Sequence, residues 1–244
     1  MTAVADKPDA QDGGEEFLLK HPRGNRWMHW INVPLLGIMI WSGLRIYWAN
    51  RVYSIGPIEL FPEWFNETLG LERRLAKGMA FHFTFGWLFT LNGVAYGVYL
   101  WRTGGWRKIV PDRRHFREAI EVVLHDLGLR KGEPVRGTYN AAQRVMYTGI
   151  IAMGGLIVIS GFAIYKPIQL SWLTSLLGGY EGARLVHFLT TMGFVGFFLL
   201  HLVQVGRAGW SNFASMITGY VRRKPTNRDC TDPRSPGKAA GRGR

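Results

Sequence analysis

Four stretches of about twenty residues in this chain are almost wholly apolar, and polar segments separate them. They cover residues 27–48, 79–101, 145–165 and 185–206. An apolar helix of about 20 residues is long enough to cross the hydrocarbon core of a bilayer. The pattern therefore predicts an all-α fold, namely an integral membrane four-helix bundle with amphipathic interfacial helices in its loops.

Polar segments at both ends of the chain mark the limits of the predicted bundle. Residues 1–20 open with a polar, acidic stretch that lacks the apolar core of a cleaved signal peptide, and the C-terminal segment is polar and basic. We expect a disordered tail at 1–20, the four-helix domain at 21–220 and a disordered basic tail at 221–244. No internal repeat is evident between the two halves of the chain.

The segment between the second and third spans contains a second kind of pattern. Apolar residues recur there at steps of three and four, which predicts an amphipathic helix whose apolar stripe faces the membrane or the bundle. The stripe consists of Phe116, Ala119, Ile120, Val123, Leu124 and Leu127.

The distribution of positive charge predicts the orientation. The chain has 30 Lys and Arg against 17 Asp and Glu, and the surplus precedes the first span, lies between the second and third, and follows the fourth. The positive-inside rule then places both termini of this multi-pass membrane protein in the cytoplasm. Because orientation explains the surplus, we expect contact with membrane lipid and no nucleic-acid partner. Arg45, near the outer end of the first span, is expected to snorkel to the interface.

The cysteine content restricts the redox chemistry that this chain can support alone. Its single cysteine, Cys230, lies in the C-terminal tail. One cysteine excludes an internal disulfide framework, a CxxCH haem attachment and a cysteine-ligated cluster. A redox cofactor held by this chain would need histidine ligands.

Histidines occur at two depths in the predicted bundle. His187 and His201 are 14 residues apart in the fourth span, which places them within about 40° of each other on one helix face and about 21 Å apart along it. With both termini inside, His82 of the second span shares the outer level with His187, and His29 of the first span shares the inner level with His201. Two facing pairs predict two bis-histidine haem b sites, with these four residues as iron ligands. The alternative is a haem-free membrane anchor or transporter with hydrogen-bonded structural histidines.

The segments around these histidines resemble a known family. "RWMHW", "MAFHFTFGW" and "HFLTTMGFVGFFLLH" are similar to segments of the four-helix di-haem cytochrome b family, which includes subunits of formate dehydrogenases and nickel-iron hydrogenases and bacterial cytochrome b561. The resemblance extends over about residues 21–220 and is strongest to thiosulfate-reductase-type subunits. It implies the same ligand pairing and a periplasmic molybdopterin oxidoreductase as partner.

A second motif implies a quinone site. "YNAAQR", residues 139–144, resembles the "YNAGQK" motif at the quinone site of formate dehydrogenase subunits. The resemblance implies that Asn140 hydrogen-bonds a quinone oxygen, that the Ala142 backbone lies alongside the ring and that His201 is close by. Ala142 replaces the glycine of that motif, and Asn140 could instead, or also, cap the third helix.

These features predict an electron-transfer subunit of a respiratory oxidoreductase. Two haem b groups would relay electrons between the membrane quinone pool and the periplasmic partner, and the chain has no nucleophile or acid–base constellation that predicts other chemistry. A self-contained, quinol-oxidising cytochrome b561 that needs no partner is the alternative within the same family.

Overall fold

The fold is dominated by long helices. The computed structural model describes residues 17–49, 54–55, 58–59, 61–126 and 141–222. Within these residues four helices have 25 residues or more: α1 (Arg23–Ala49), α3 (Leu75–Thr103), α6 (Ala141–Tyr165) and α8 (Gly179–Ala208). At 1.5 Å per residue they are about 37 to 45 Å long, which exceeds the thickness of a hydrocarbon core. Each predicted span lies inside one of them.

The four long helices differ in how apolar they are. α6 and α8 are long and apolar enough to cross a membrane by length and composition alone. α1 and α3 carry amide and hydroxyl side chains within their apolar stretches, among them Asn32 and Ser42 of α1 and Asn92 of α3. The polar residues of α1 and α3 bond across the interface between these helices, as described below.

Shorter elements connect the long helices. Between α1 and α3 lie the two-residue antiparallel strands β2 (Ser54–Ile55) and β3 (Ile58–Glu59), followed by α2 (Glu63–Thr68). α4 (Trp106–Ile109) and α5 (Arg113–Asp126) follow α3, and α7 (Ser171–Leu176) lies between α6 and α8.

α5 is the predicted amphipathic helix, with a buried face that differs from the predicted stripe. Ala119 and Val122 are buried and α5 packs against α6, whereas Phe116 and Ile120 are exposed. The apolar stripe is wider than the contact with α6, so that only one edge of it is covered. Thr148 of α6 also contacts α4, which precedes α5, by donating a hydrogen bond to the Ile109 carbonyl at 2.9 Å.

Arg45 contradicts the expectation of a snorkelling side chain. It is 4% exposed, its guanidinium lies 3.6 Å from the ring centre of Trp41, and its Nη2 donates to the Gly70 carbonyl at 3.1 Å. Trp41 Nε1 donates to the neighbouring Leu69 carbonyl at 3.2 Å. The turn after α2 therefore folds over Arg45, and the Gly70 carbonyl binds its Nη2, whereas Nε and Nη1 are buried without a hydrogen-bond partner among the described residues.

The described chain divides into two compact units, one of which spans residues 27–204 and contains most of α1, most of α8 and every element between them. The other comprises residues 17–26 and 205–222, including the short helix α9 (Trp210–Thr218). In it, β1 (Phe17–Leu19) pairs antiparallel with β4 (Tyr220–Arg222). The sequence predicted disordered tails up to residue 20 and from 221 onward, and this ladder differs from that expectation because three-residue strands have no detectable periodicity. Both tails otherwise lie outside the described residues.

A glycine closes this small unit. Gly219 has φ of 96°, and a Cβ there would lie 3.1 Å from Arg26 Cζ and 3.2 Å from the His21 carbonyl oxygen. The Gly219 carbonyl accepts hydrogen bonds from the amides of Lys20 and His21 at 2.8 and 3.1 Å. Only glycine fits this left-handed turn between α9 and β4 without strain.

Candidate functional site

Two pairs of histidine rings face each other in the helical unit. His82 of α3 and His187 of α8, here called the first pair, have ring centres 6.2 Å apart. His29 of α1 and His201 of α8, the second pair, have ring centres 6.1 Å apart. The structure thus brings together the partners that the sequence predicts, and α8 contributes one ring to each pair.

The spacing within each pair fits a single metal ion between two imidazoles. A metal–nitrogen bond of about 2.0 Å and about 1.1 Å from that nitrogen to the ring centre would separate two opposed ring centres by about 6.2 Å. Both pairs match this value within about 0.1 Å. Imidazole is also a common axial ligand of haem iron, so that the donor type and the spacing are both appropriate.

Each ring of the first pair contacts a serine on the preceding long helix. Ser42 Oγ of α1 lies 3.0 Å from His82 Nδ1, and Ser160 Oγ of α6 lies 3.1 Å from His187 Nδ1. His187 Nδ1 is also 3.1 Å from the Ile157 carbonyl oxygen. Both serines are fully buried. Neither serine stands out in the hydropathy pattern, although each is followed by glycine in an otherwise apolar span.

The hydrogen bonds of these serines determine which ring nitrogen carries the proton. Ser42 Oγ donates to the Ile38 carbonyl at 2.7 Å, and Ser160 Oγ donates to the Leu156 carbonyl at 2.8 Å. Since each hydroxyl proton is used in that way, the histidine Nδ1 must be the donor to the serine oxygen. Nε2 of each ring is then unprotonated and available to a metal.

The second pair has different surroundings. His201 stacks on Phe197 with ring centres 6.0 Å apart and an interplanar angle of 5°. His29 Nδ1 is buried without a hydrogen-bond partner. Near His29, Asn92 Nδ2 of α3 donates to Asn32 Oδ1 of α1 at 2.8 Å and contacts the Met28 carbonyl oxygen at 3.4 Å. An asparagine pair thus joins α1 and α3 at this level.

The predicted quinone residues are only partly described. Asn140 lies outside the described residues, and Ala142 lies in the first turn of α6, half-buried. The hydrogen bonds and ring contacts of the described residues do not join Ala142 to His201. The quinone site therefore stays a prediction from sequence.

His115 lies outside both pairs and has different partners. His115 Nδ1 accepts a hydrogen bond from the Asp112 amide at 3.0 Å, and its Nε2 is 3.5 Å from Arg144 Nη1. Within the described residues no group of three or more His, Cys, Asp or Glu side chains could hold a metal ion without a cofactor. Paired histidines are consistent with a metal that brings its own equatorial ligands, as haem iron does.

A bundle of long apolar helices that contains two facing histidine pairs, with one helix contributing a histidine to each pair, defines a haem-binding membrane cytochrome. The chain belongs to the prokaryotic cytochrome b561 family, whose family model matches residues 20–219. Proteins of this family are integral membrane proteins that bind haem b and transfer electrons. This membership agrees with the resemblance noted in the sequence and favours a haem protein over a haem-free anchor or transporter.

One relative matches this chain over almost the whole of the relative's own length. A protein of Azospira oryzae with the name "Putative protein-methionine-sulfoxide reductase subunit YedZ1" is 32% identical over 207 residues, which cover 84% of this chain and 99% of the relative. The relative is thus similar in length to the matched part of this chain.

Proposed function

We propose that this chain binds two haem b groups and relays electrons across the membrane between a quinone pool and a periplasmic oxidoreductase. His82 and His187 would be the axial ligands of one haem, and His29 and His201 those of the other. The observation that carries this proposal is the ring separation of 6.2 and 6.1 Å in the two pairs. Both values suit one iron atom between two imidazoles.

The side chains of the bundle would hold and orient the cofactors. Each haem, when bound, supplies one-electron redox chemistry. His187 and His201 belong to the same helix and are separated by about 21 Å along its axis, so that α8 would fix the distance between the two haems. A single continuous helix is a suitable spacer because its rise per residue is constant.

The proposed orientation follows from the charges near the helix ends. Exposed arginines occur at the end of α3, in α4 and in α5, namely Arg102, Arg107, Arg113, Arg114 and Arg117. The positive-inside rule favours the cytoplasm for this connection and for both termini. The second pair would then lie at the cytoplasmic side of the bacterial inner membrane, and the first pair at the periplasmic side.

The quinone would be oxidised or reduced near the second pair. Asn140 would hydrogen-bond a quinone oxygen, the Ala142 backbone would lie beside the ring, and His201 would be close by. The support is the resemblance of "YNAAQR" to a quinone-binding motif, together with the placement of Ala142 in the first turn of α6.

The partner would be a periplasmic reductase of the molybdopterin type. The Azospira oryzae relative is named as a putative subunit of a protein-methionine-sulfoxide reductase, and by similarity we assign the same reaction class to the partner of this chain. Reduction of a sulfoxide to a thioether takes up two electrons and two protons and releases the oxygen as water. Electrons would therefore flow from quinol through the second haem to the first and then to the partner.

Haem counting on single-histidine variants tests the core of the proposal. We would purify the full chain in detergent and measure the pyridine haemochrome of the wild type, His187→Ala and His29→Ala, with His115→Ala as the control for a histidine outside both pairs. We expect about two haem b per chain in the wild type and His115→Ala, and about one in each of the others. A wild-type chain with one haem, or an equal loss of haem in His115→Ala, would contradict the proposal.

A further inference from the structure

The helices that carry the two serines share a sequence pattern that hydropathy alone does not reveal. α1 contains "GIMIWSGLRIY" at residues 37–47, and α6 contains "GLIVISGFAIY" at 155–165. The two segments align without a gap, and five of the eleven residues are identical, including Ser42 with Ser160 and Gly43 with Gly161. This correspondence corrects the expectation that the chain has no internal repeat.

The repeated residues make the same contacts in three dimensions. In each segment the serine hydroxyl donates to the carbonyl four residues earlier, and the serine oxygen accepts from a histidine Nδ1 on the next long helix. The carbonyl three residues before each serine, that of Met39 or Ile157, also hydrogen-bonds the same ring. Helix pairs α1–α3 and α6–α8 are thus two copies of one arrangement.

The glycines that follow the serines set the distance between ring and helix. A Cβ on Gly43 would lie 3.3 Å from His82 Cε1, and a Cβ on Gly161 would lie 3.3 Å from His187 Cε1. These separations are shorter than the usual carbon contact of about 3.5 to 4.0 Å. Each ring therefore packs against a backbone surface that glycine leaves open, while the neighbouring serine bonds its Nδ1.

We infer that Ser42 and Ser160 are positioning residues for the axial ligands of the first haem, equivalent in the two copies of the repeat. The inference rests on the proposed ligand role of His82 and His187. Each serine, together with the carbonyl three residues before it, holds its imidazole in the Nδ1-protonated form and, with the adjacent glycine, fixes the rotation of the ring. A hydrogen bond donated by Nδ1–H also makes Nε2 a stronger donor to iron.

The second haem lies outside this effect. The position equivalent to His29 in the second copy is Tyr147, and Tyr96 of α3 stands where α8 has His201. In the first pair, each copy of the repeat therefore provides one histidine that is bonded by a serine. In the second pair, each copy provides a histidine on only one of its two helices, namely His29 on α1 and His201 on α8. Changes at the serines should affect one haem and leave the other unchanged.

The test compares serine variants with a matched control. The variants are Ser42→Ala, Ser160→Ala and the double substitution, and the control is Ser215→Ala. Ser215 of α9 is also fully buried and bonds a backbone carbonyl of its own helix, that of Asn212, at 2.6 Å. Measurements on the full chain are haem content, redox titration of the b-type absorption bands, and electron paramagnetic resonance of the ferric low-spin haems, whose g values respond to the orientation of the ligand rings.

We expect haem content to stay near two per chain and the potential of one haem to rise in each serine variant. Loss of the serine oxygen, one of the two acceptors near Nδ1–H, weakens the imidazole as a donor and so disfavours ferric iron. One hydrogen bond contributes up to about 1.5 kcal/mol, so that the reduced-to-oxidised ratio of that haem at a fixed potential should rise by up to about tenfold. The two single variants should give similar shifts, and the double variant a larger one, with altered g values.

Two further variants separate positioning from general stability. Ser42→Thr keeps the hydroxyl, whose hydrogen bond to the preceding turn is common in helices, and should restore the wild-type potential. His29→Ala retains only the first haem, and there the shift caused by Ser160→Ala should persist. If the double serine variant matches Ser215→Ala in both potentials and g values, the inference is wrong. Wild type with fewer than two haems would instead contradict the proposed function.

Discussion

Gly78→Ala tests the close contact of α1 with α3, one turn before His82. A Cβ on Gly78 would lie 2.8 Å from Arg45 Cβ and 3.3 Å from the Ser42 carbonyl oxygen. Optimal carbon contacts are about 3.5 to 4.0 Å, so the helices must move apart by about 1 Å. Neither neighbour can rotate away, because one is a Cβ and the other a backbone atom of α1.

The net effect on stability combines two opposing contributions. Overpacking of a helix contact costs about 1 to 3 kcal/mol, whereas replacement of a helical glycine by alanine gains about 0.5 to 1 kcal/mol. Gly78→Ala should therefore destabilise the protein by up to about 2.5 kcal/mol. Gly97→Ala in the same helix is the matched control because nothing lies within 4 Å of its Cβ position, and it should receive only the gain.

Thermal unfolding in detergent, followed by far-ultraviolet circular dichroism at one scan rate, measures the difference. Both variants receive the same gain, so they differ by the overpacking cost of about 1 to 3 kcal/mol. Since 1 kcal/mol corresponds to about 2 to 4 °C for a chain of this size, Gly78→Ala should melt about 2 to 12 °C below Gly97→Ala. The haem absorption should follow the same order, because the contact adjoins His82. A melting temperature of Gly78→Ala equal to or above that of Gly97→Ala would refute the argument.

Two further predictions concern polar side chains inside the helical unit. Arg45→Lys should lower the free energy of unfolding by about 1 to 3 kcal/mol more than Arg45→Met does. The reason is that lysine keeps a buried charge but loses the planar stacking on Trp41 and the reach to the Gly70 carbonyl. A wild-type melting temperature for Arg45→Lys would contradict this prediction. Asn92→Leu should lower the free energy of unfolding by about 0.5 to 1.5 kcal/mol in the same thermal assay, since Asn32 loses its 2.8 Å hydrogen-bond partner. Addition of Asn32→Leu should recover part of the loss, and a double variant with the summed cost of both single changes would show that the two amides act independently.

The sequence predicts the long helices and the histidine pairs because both depend on simple periodic relations. Helix length follows from the apolar stretches, and the 14-residue separation of His187 and His201 returns to nearly the same face of α8. Facing partners then follow from depth alone. These relations do not require knowledge of side-chain packing, and the structure places the rings of each pair about 6 Å apart.

Features that depend on short-range packing could not be predicted in this way. The serine–glycine pairs lie in spans that are apolar throughout, so hydropathy does not distinguish them, and their meaning depends on contact with a different helix. Arg45 was expected to reach water, but the turn that covers it is formed by residues more than twenty positions later. Likewise, which apolar residues of α5 are buried depends on how much of its apolar stripe α6 covers.

The pairing of β1 with β4 has a practical consequence for protein engineering. Phe17 lies opposite Arg222 in this ladder, and neighbouring strands are about 4.8 Å apart. A chain trimmed to residues 17–222 would therefore begin and end at adjacent points. A short peptide linker could join these ends into a circular chain, and new termini could then be introduced elsewhere to test whether the order of the helices matters for folding.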